Sequence, residues 1–337
     1  MTESTGRREL AFYYPNPFWV DGDWIKNLVL YFDGVAFLVP KYMQVRLEGS
    51  DPAIVAGLRE MDLLHVIEPE KAVDKIATEQ LAQALADIIA SGKLDALAKD
   101  GTAFHELSRS RLGWDGGTGL AEMIFDELKA RNLARESEDG VSIPMHPKVR
   151  YLILVLLTQI LRARNQDPGV ELSPVTDTPR IVDALGELLA FEASPSNGSV
   201  VSFDMNIVGV DVSSFPIDEV LDFRRQNYDG LQRYRRQVRL FAAEVSALPG
   251  ETRGIAFRQR QDELDDLSAD LKKVSEKAWR QPAAFALSLT GAALSALTGN
   301  PIGAVLAATG AALAYTAAVQ PDLGAYSYIF RARAQFR

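Results

Sequence analysis

Residues 10–40 read LAFYYPNPFWVDGDWIKNLVLYFDGVAFLVP. Two apolar runs, Leu10 to Tyr14 and Val35 to Val39, each stop at a proline. Proline cannot donate to a strand ladder and holds its own φ, so it closes a strand sharply. Between the runs, Asp21 or Asp23 can start a helix and Asp33-Gly34 can stop it, which predicts a helix from Asp23 to Phe32. A second helical pattern, Pro52 to Met61, leads to a third apolar run, Leu63 to Glu68, before Pro69. Strands alternating with helices predict βαβ units and a parallel sheet.

Outward from that stretch, helices take over. Ala72 to Ala90 places Val73, Ile76, Leu81, Leu85 and Ile88 on one face. A glycine-rich loop, GWDGGTG at 113–119, precedes a helix from Leu120 to Arg131, and Asp139-Gly140 marks a turn. Pro147 to Arg164 reads as a helix whose apolar run, Tyr151 to Leu157, places it inside a core. Thr178 and Pro179 open a helix reaching Phe191, and Pro195 to Gly198 is a loop. Ser199 to Val212 alternates and is β-branched, so a strand near 199–212 is expected to rejoin the sheet. Pro216 to Leu248 and Gly254 to Trp279 then read as two long helices folding back at Pro249-Gly250. The expected class is α+β, mostly α, with a domain over 1–212 and a helical domain over 213–337 that holds a charged pair (216–280) and an apolar hairpin (283–319).

The hairpin is AAFALSLTGAALSALTGNPIGAVLAATGAALAYTAAV, residues 283–319, and no charge occurs between Arg280 and Asp322. Gly299-Asn300-Pro301 divides it into two arms of about 16–18 residues, or ~24–27 Å of helix against a hydrocarbon core of ~30 Å. Its large apolar residues contribute only about −3 to −6 kcal/mol to insertion, so spanning is marginal. Phe285, Leu289, Leu294, Leu306 and Leu313 supply bulk, while Gly291, Gly303 and Gly310 let two helices approach closely. Lys272, Lys273, Lys277 and Arg280 precede it, and Arg331, Arg333 and Arg337 follow. The pattern fits a hairpin entering a membrane from the cytoplasmic side, and equally an alanine-rich pair buried as core.

A net charge of −9 argues against nucleic acid as a partner. The absence of cysteine removes disulfides and thiolate metal sites and fits a reducing cytoplasm. The N-terminus, MTESTGRREL, has no apolar signal core, so cleaved export is not expected. Arg224, Arg225, Arg233, Arg235, Arg236 and Arg239 form a basic run, and Asp262, Glu263, Asp265, Asp266 and Asp270 an acidic one. The fold-back sets Arg239 level with Leu264 and Arg233 level with Asp270, which predicts an interhelical charge zipper over an anion site. His65, His105 and His146 lack metal-ligand spacing, and GWDGGTG lacks the residues of a phosphate loop. No catalytic motif, metal or cofactor is indicated. If the strands are parallel, Tyr14, Asn16, Lys41, Glu68 and Asp204 are the candidate ligand-binding residues at their carboxyl ends. Asp177, just ahead of Thr178, reads as part of a helix start.

Three stretches resemble a bacterial family known as domain of unknown function 6236. They are AFYYPNPFWVDGDWIKNLVLYFDGVAFLVP (Ala11 to Pro40), SPVTDTP (Ser173 to Pro179) and VLDFRRQNYDGLQRYRRQVRLF (Val220 to Phe241). The resemblance implies a shared fold and a bacterial origin, and no catalytic residues. The expected function is an interaction or effector protein docking on the inner membrane through 283–319. The alternative is a soluble ligand-binding protein or enzyme with its pocket at the strand ends and the hairpin as core. Self-association through the helical pair is a further candidate interaction, and the identity of any small-molecule ligand stays open.

Overall fold

The computed structural model describes residues 7–14, 16–99, 101–112, 119–136, 138, 140–165, 167–177, 197–272 and 323–336. The apolar hairpin, the glycine-rich loop up to residue 118 and the helix expected after Thr178 lie outside the described residues.

The described chain is mostly helical around a small sheet. Its elements run β1 (Arg8–Tyr13), α1 (Gly22–Tyr31), β2 (Gly34–Leu38), α2 (Gln44–Ser50), α3 (Pro52–Glu60) and β3 (Leu64–Ile67). Then come α4 (Pro69–Ala72), α5 (Lys75–Ala90), β4 (His105–Ser108), α6 (Gly119–Ala130), β5 (Ser142–Met145), α7 (Pro147–Arg164) and β6 (Val170–Val175). The rest is helical: α8 (Asn197–Val208), α9 (Ile217–Gln226), α10 (Tyr228–Ala247), α11 (Gly250–Lys272) and α12 (Leu323–Gln335).

The expected βαβ start is present. Asp21, rather than Asp23, caps α1, its side chain accepting from Asp23 N at 2.9 Å. Strands β3, β2, β1 and β6 lie in that order and all pair in parallel. Gly34 is required where β2 approaches β3. A Cβ there would sit 2.6 Å from the carbonyl oxygen of Leu63.

The fourth strand is not the one expected. Ser199 to Val212 does not rejoin the sheet: residues 197–208 are the helix α8. Among its described side chains Val200, Val201, Asp204 and Val208 are buried, a helical spacing that outweighs the β-branched composition. The sheet is completed instead by β6, VELSPV, whose Ser-Pro pair reads locally as a break. Pro174 is tolerated opposite Phe12 because β6 is an edge strand, with a neighbour on one side only. A separate antiparallel pair, β4 with β5, also carries no clear alternation in sequence.

Side-chain alternation along β1 divides the molecule into two cores. Leu10, Phe12 and Tyr14 face a cluster built with α5, α6 and α7. Ala11 and Tyr13 face a cluster built with α1, α3 and α8 to α12. The second core joins residues on both sides of the 212/213 boundary. Helix α7 is buried along most of its length, from Leu152 to Leu161. On α5 the buried face is Ala77, Leu81, Ala84, Leu85 and Ile88, while Ile76 is 53% exposed. Ile76 falls one residue ahead of that face, about 100° around the helix.

Candidate functional site

Parallel pairing puts the carboxyl ends of four strands along one edge. The chain proceeds from β1 to β2 to β3 in one direction, then crosses back to place β6 on the other side of β1. The strand order therefore reverses between β1 and β6, and the crevice outside their carboxyl ends is where open parallel sheets hold ligands.

Tyr13 and Asp177 meet at this crevice. Tyr13 closes β1, its ring packed against Trp24 at 5.2 Å and Phe37 at 5.5 Å. Its hydroxyl donates to Asp177 Oδ2 at 3.0 Å and accepts from Asn16 Nδ2 at 3.2 Å. Burial, then the Asp177 charge, raises the Tyr13 pKa above its ordinary value, so the phenol stays protonated and remains the donor. Asp177, two residues past β6, is only half-buried. Just past β1, Arg111 is buried and donates Nη2 to the carbonyl oxygen of Tyr14 at 2.5 Å. Burial, then the like charge of Arg150, pushes Arg111 down to about 9. Arg150, near the start of α7, donates Nε to the carbonyl oxygen of Glu106 at 3.0 Å.

The five sequence-predicted residues do not form one group. Tyr14 turns into the core on the α5–α7 face, its hydroxyl beside Thr176 and its pKa raised by burial. Asn16 reaches the crevice through Tyr13. Lys41 and Glu68 stand at the ends of β2 and β3, where Lys41 N donates to Glu70 Oε1 at 3.0 Å and Glu68 pairs with Lys71 at 2.8 Å. Hydrogen bonding from Lys71 keeps the Glu68 carboxyl below the usual range. Asp204 belongs to the other core altogether. Tyr13 escaped sequence reading because it lies one position from Tyr14, and one position reverses the face of a strand.

Asp204, on α8, is fully buried and held by Arg260 of α11, with Nε to Oδ1 at 2.7 Å and Nη2 to Oδ2 at 2.5 Å. Tyr234 of α10 donates to the same carboxylate at 2.8 Å, and Arg260 Nη1 donates to the Tyr326 hydroxyl of α12 at 2.8 Å. Four helices thus converge on one bidentate ion pair.

A second charged cluster sits at the amino edge of the sheet. Arg235 of α10 pairs through Nη1 with Asp33 Oδ2 and lies 3.7 Å from Glu9 Oε2. Arg224 of α9 donates to the carbonyl oxygens of Val29 and Phe32, satisfying the end of α1. Glu9 also accepts from Ser173 at 2.6 Å, and burial, against the pull of Arg235, raises its pKa.

These partners take Arg224 and Arg235 out of the expected charge zipper, while the side chains of Asp265, Asp266 and Asp270 lie outside the described residues. The α10–α11 fold-back occurs, with Phe241 and Phe257 in edge contact at 5.4 Å. But Arg224 and Arg235 point into the core and pair across nearly 200 residues of chain, while Arg233, Arg236, Asp262 and Glu263 are exposed. Solvent screens exposed charges, so any attraction among those four is weak.

At the same edge, Arg8 donates to Asp62 Oδ2 at 2.7 Å and lies 3.1 Å from His65 Nε2. A guanidinium only donates, so Nε2 accepts and the ring is neutral. Burial, then the Arg8 charge, lowers the His65 pKa below 6.5. The unfolded chain therefore binds the proton first, and stability present above the unfolded pKa is lost as pH falls through the folded one. His65→Gln is expected to flatten the dependence of unfolding free energy on pH between roughly 7 and 5, measured by urea titration. An unchanged slope would remove His65 as its source.

Among the described residues no group of three histidine or acidic side chains is spaced to hold a metal ion. Among them, too, no helix is long and apolar enough to cross a membrane. Phe285, Leu289, Gly291, Leu294, Gly303, Leu306, Gly310 and Leu313 lie outside the described residues. Comparison with family models, curated proteins and solved structures finds no match for the chain.

Proposed function

We propose that the chain is a cytoplasmic interaction protein that docks on the inner membrane through residues 283–319, and that it belongs with the bacterial family 6236 it resembles. The reading is supported first by sequence: the run from Gln281 to Pro321 is uncharged and is preceded by Lys272, Lys273, Lys277 and Arg280. The single structural observation behind it is the Arg260–Tyr326 hydrogen bond at 2.8 Å. It ties α11, which leads into the run, to α12, which leads out. Tyr328 of α12 also donates to the carbonyl oxygen of Leu30 at 2.7 Å. The body of the protein thus holds both legs, as a presented hairpin needs. The following basic flank is thinner than the sequence implies, because Arg333 is 8% exposed and turns inward.

The test is co-sedimentation with vesicles of phosphatidylethanolamine and phosphatidylglycerol. The full chain is expected to pellet with the vesicles and a form lacking 281–320 to stay in the supernatant. Marginal insertion of about −3 to −6 kcal/mol predicts that binding weakens when phosphatidylglycerol is withdrawn, since the basic flank then contributes little. A full chain that stays monodisperse in the supernatant with vesicles present would sink the proposal.

A further inference from the structure

The four-stranded sheet has two edges, β3 and β6, and they are treated differently. We propose that the outer edge of β3 pairs antiparallel with β3 of a second copy of this chain, an interaction independent of the apolar hairpin and of the helical pair.

Hydrogen-bond direction defines the open side. The carbonyl oxygens of Leu63 and Ile67 accept from the backbone N–H groups of Val35 and Val39, in and just past β2, at 2.8 and 3.0 Å. Successive residues of a strand turn their backbone groups to opposite sides, so His65 also faces β2, and Leu64 and Val66 face away. Among the described residues nothing bonds to the N–H or carbonyl groups of Leu64 and Val66 on that outer side. All of β3 is half-buried, whereas β2 beside it is buried throughout. Unpaired strand groups within reach of solvent are a template for another strand.

The opposite edge is closed. Arg8 N donates to the Gly169 carbonyl on the inner side of β6, so Val170, Leu172 and Pro174 turn outward. The Val170 carbonyl is taken by Arg7 Nε at 3.0 Å and Asn165 Nδ2 at 2.9 Å, and Pro174 has no N–H to offer. The β3 sequence, LHVI, contains neither proline nor lysine, the residues that guard edges.

The spacing of the free groups selects the partner. Antiparallel strands exchange bonds in pairs between residues that face each other. Setting Leu64 of one copy opposite Val66 of the other satisfies both residues in both copies. It also puts the two His65 residues opposite each other on a two-fold axis. A second copy therefore supplies matching donors and acceptors at the same spacing, in an isologous contact that closes on itself. Charge agrees with this pairing. Each end of β3 holds a completed ion pair, Arg8 with Asp62 at 2.7 Å and Glu68 with Lys71 at 2.8 Å. The antiparallel register sets one pair beside the other, so no carboxylate meets a bare like charge.

The experiment uses the full-length protein, which contains no cysteine, so a single introduced thiol reports one position. In this register the two His65 α-carbons lie about 4.5 Å apart, within disulfide range. Those of Leu64, and those of Val66, lie roughly 8 Å from their own counterparts, beyond it. Mild oxidation should convert His65→Cys to a covalent dimer on a non-reducing gel and leave Leu64→Cys and Val66→Cys monomeric. In sedimentation velocity the parent should dimerise reversibly. Val66→Pro should weaken that dimer about tenfold or more, because it removes one donor from each copy. The proline removes no bond to β2, so a melting midpoint within about 4 °C of the parent is expected. If Val66→Pro does not fold, Leu64→Lys replaces it and should weaken the dimer in the same direction, since lysine on an edge opposes pairing. A parent that stays monomeric up to about 0.5 mM overturns the assignment. So does a dimer that the folded edge variant leaves intact, or a disulfide that forms as readily at position 64 or 66 as at 65. So, finally, does a His65→Cys form that stays monomeric on oxidation, the result that a segment of the same chain seated on the edge would give.

Discussion

Arg260→Met is expected to lower the unfolding free energy by about 3–5 kcal/mol. The side chains of Arg260 and Asp204 are 1% and 0% exposed, so deleting the cation strands a carboxylate beyond the reach of water. Tyr234 still donates to Asp204, but one neutral hydrogen bond does not replace a bidentate charged one. The loss reaches further than one pair. Arg260 also stacks over Phe241 at 4.5 Å and Tyr326 at 5.2 Å, so α12 loosens from α11. Urea unfolding of Arg260→Met, Asp204→Leu and the double variant closes a cycle. The double variant should recover most of the loss, because two apolar side chains need no partner. A single-variant loss below about 1 kcal/mol would mean that water or a rearranged neighbour compensates Asp204.

Arg235→Met is expected to cost a similar amount, about 3–5 kcal/mol, with a distinguishing pH signature. Arg235 sits between Asp33 and Glu9, both nearly inaccessible. Burial already raises the Glu9 pKa above 4.5, and Arg235 is the largest influence opposing that rise. Removing the guanidinium raises the folded pKa further. Between the unfolded and folded values the native state then holds more protons than the unfolded chain, so stability falls as pH rises through that window. The variant should therefore regain stability on acidification from neutral pH toward about 5. The parent should show the same trend more weakly. A variant whose deficit is constant across that range would place the lost energy in packing rather than in the stranded carboxylates.

Both clusters show where sequence reading reaches its limit. The arginines of α9 and α10 stand out as a charge run, and the acidic run on the next helix is the obvious partner. The structure pairs two of them with Asp33 and Glu9 instead, because only a buried ion pair is spared solvent screening. Asp204 was legible as a candidate only through a strand that does not exist, and its partner Arg260 carried no signal of its own. At the crevice, Asp177 was visible as a helix-start residue. Its bond to Tyr13 spans 164 positions, and no local pattern encodes that.

What the sequence determined alone was whatever rests on local periodicity and punctuation. The three N-terminal strands ending at prolines, the buried helix 147–164 and the reversal at Pro249-Gly250 are of this kind. So is the uncharged run 281–321, whose composition needs no coordinates to state. Only tertiary structure decided that VELSPV completes the sheet and that 197–208 is helical, since an edge position excuses a proline and burial on one helical face overrides β-branching. It alone chose partners for the buried charges. Desolvation makes those pairings compulsory, and they join residues that only the folded chain brings within a few ångströms.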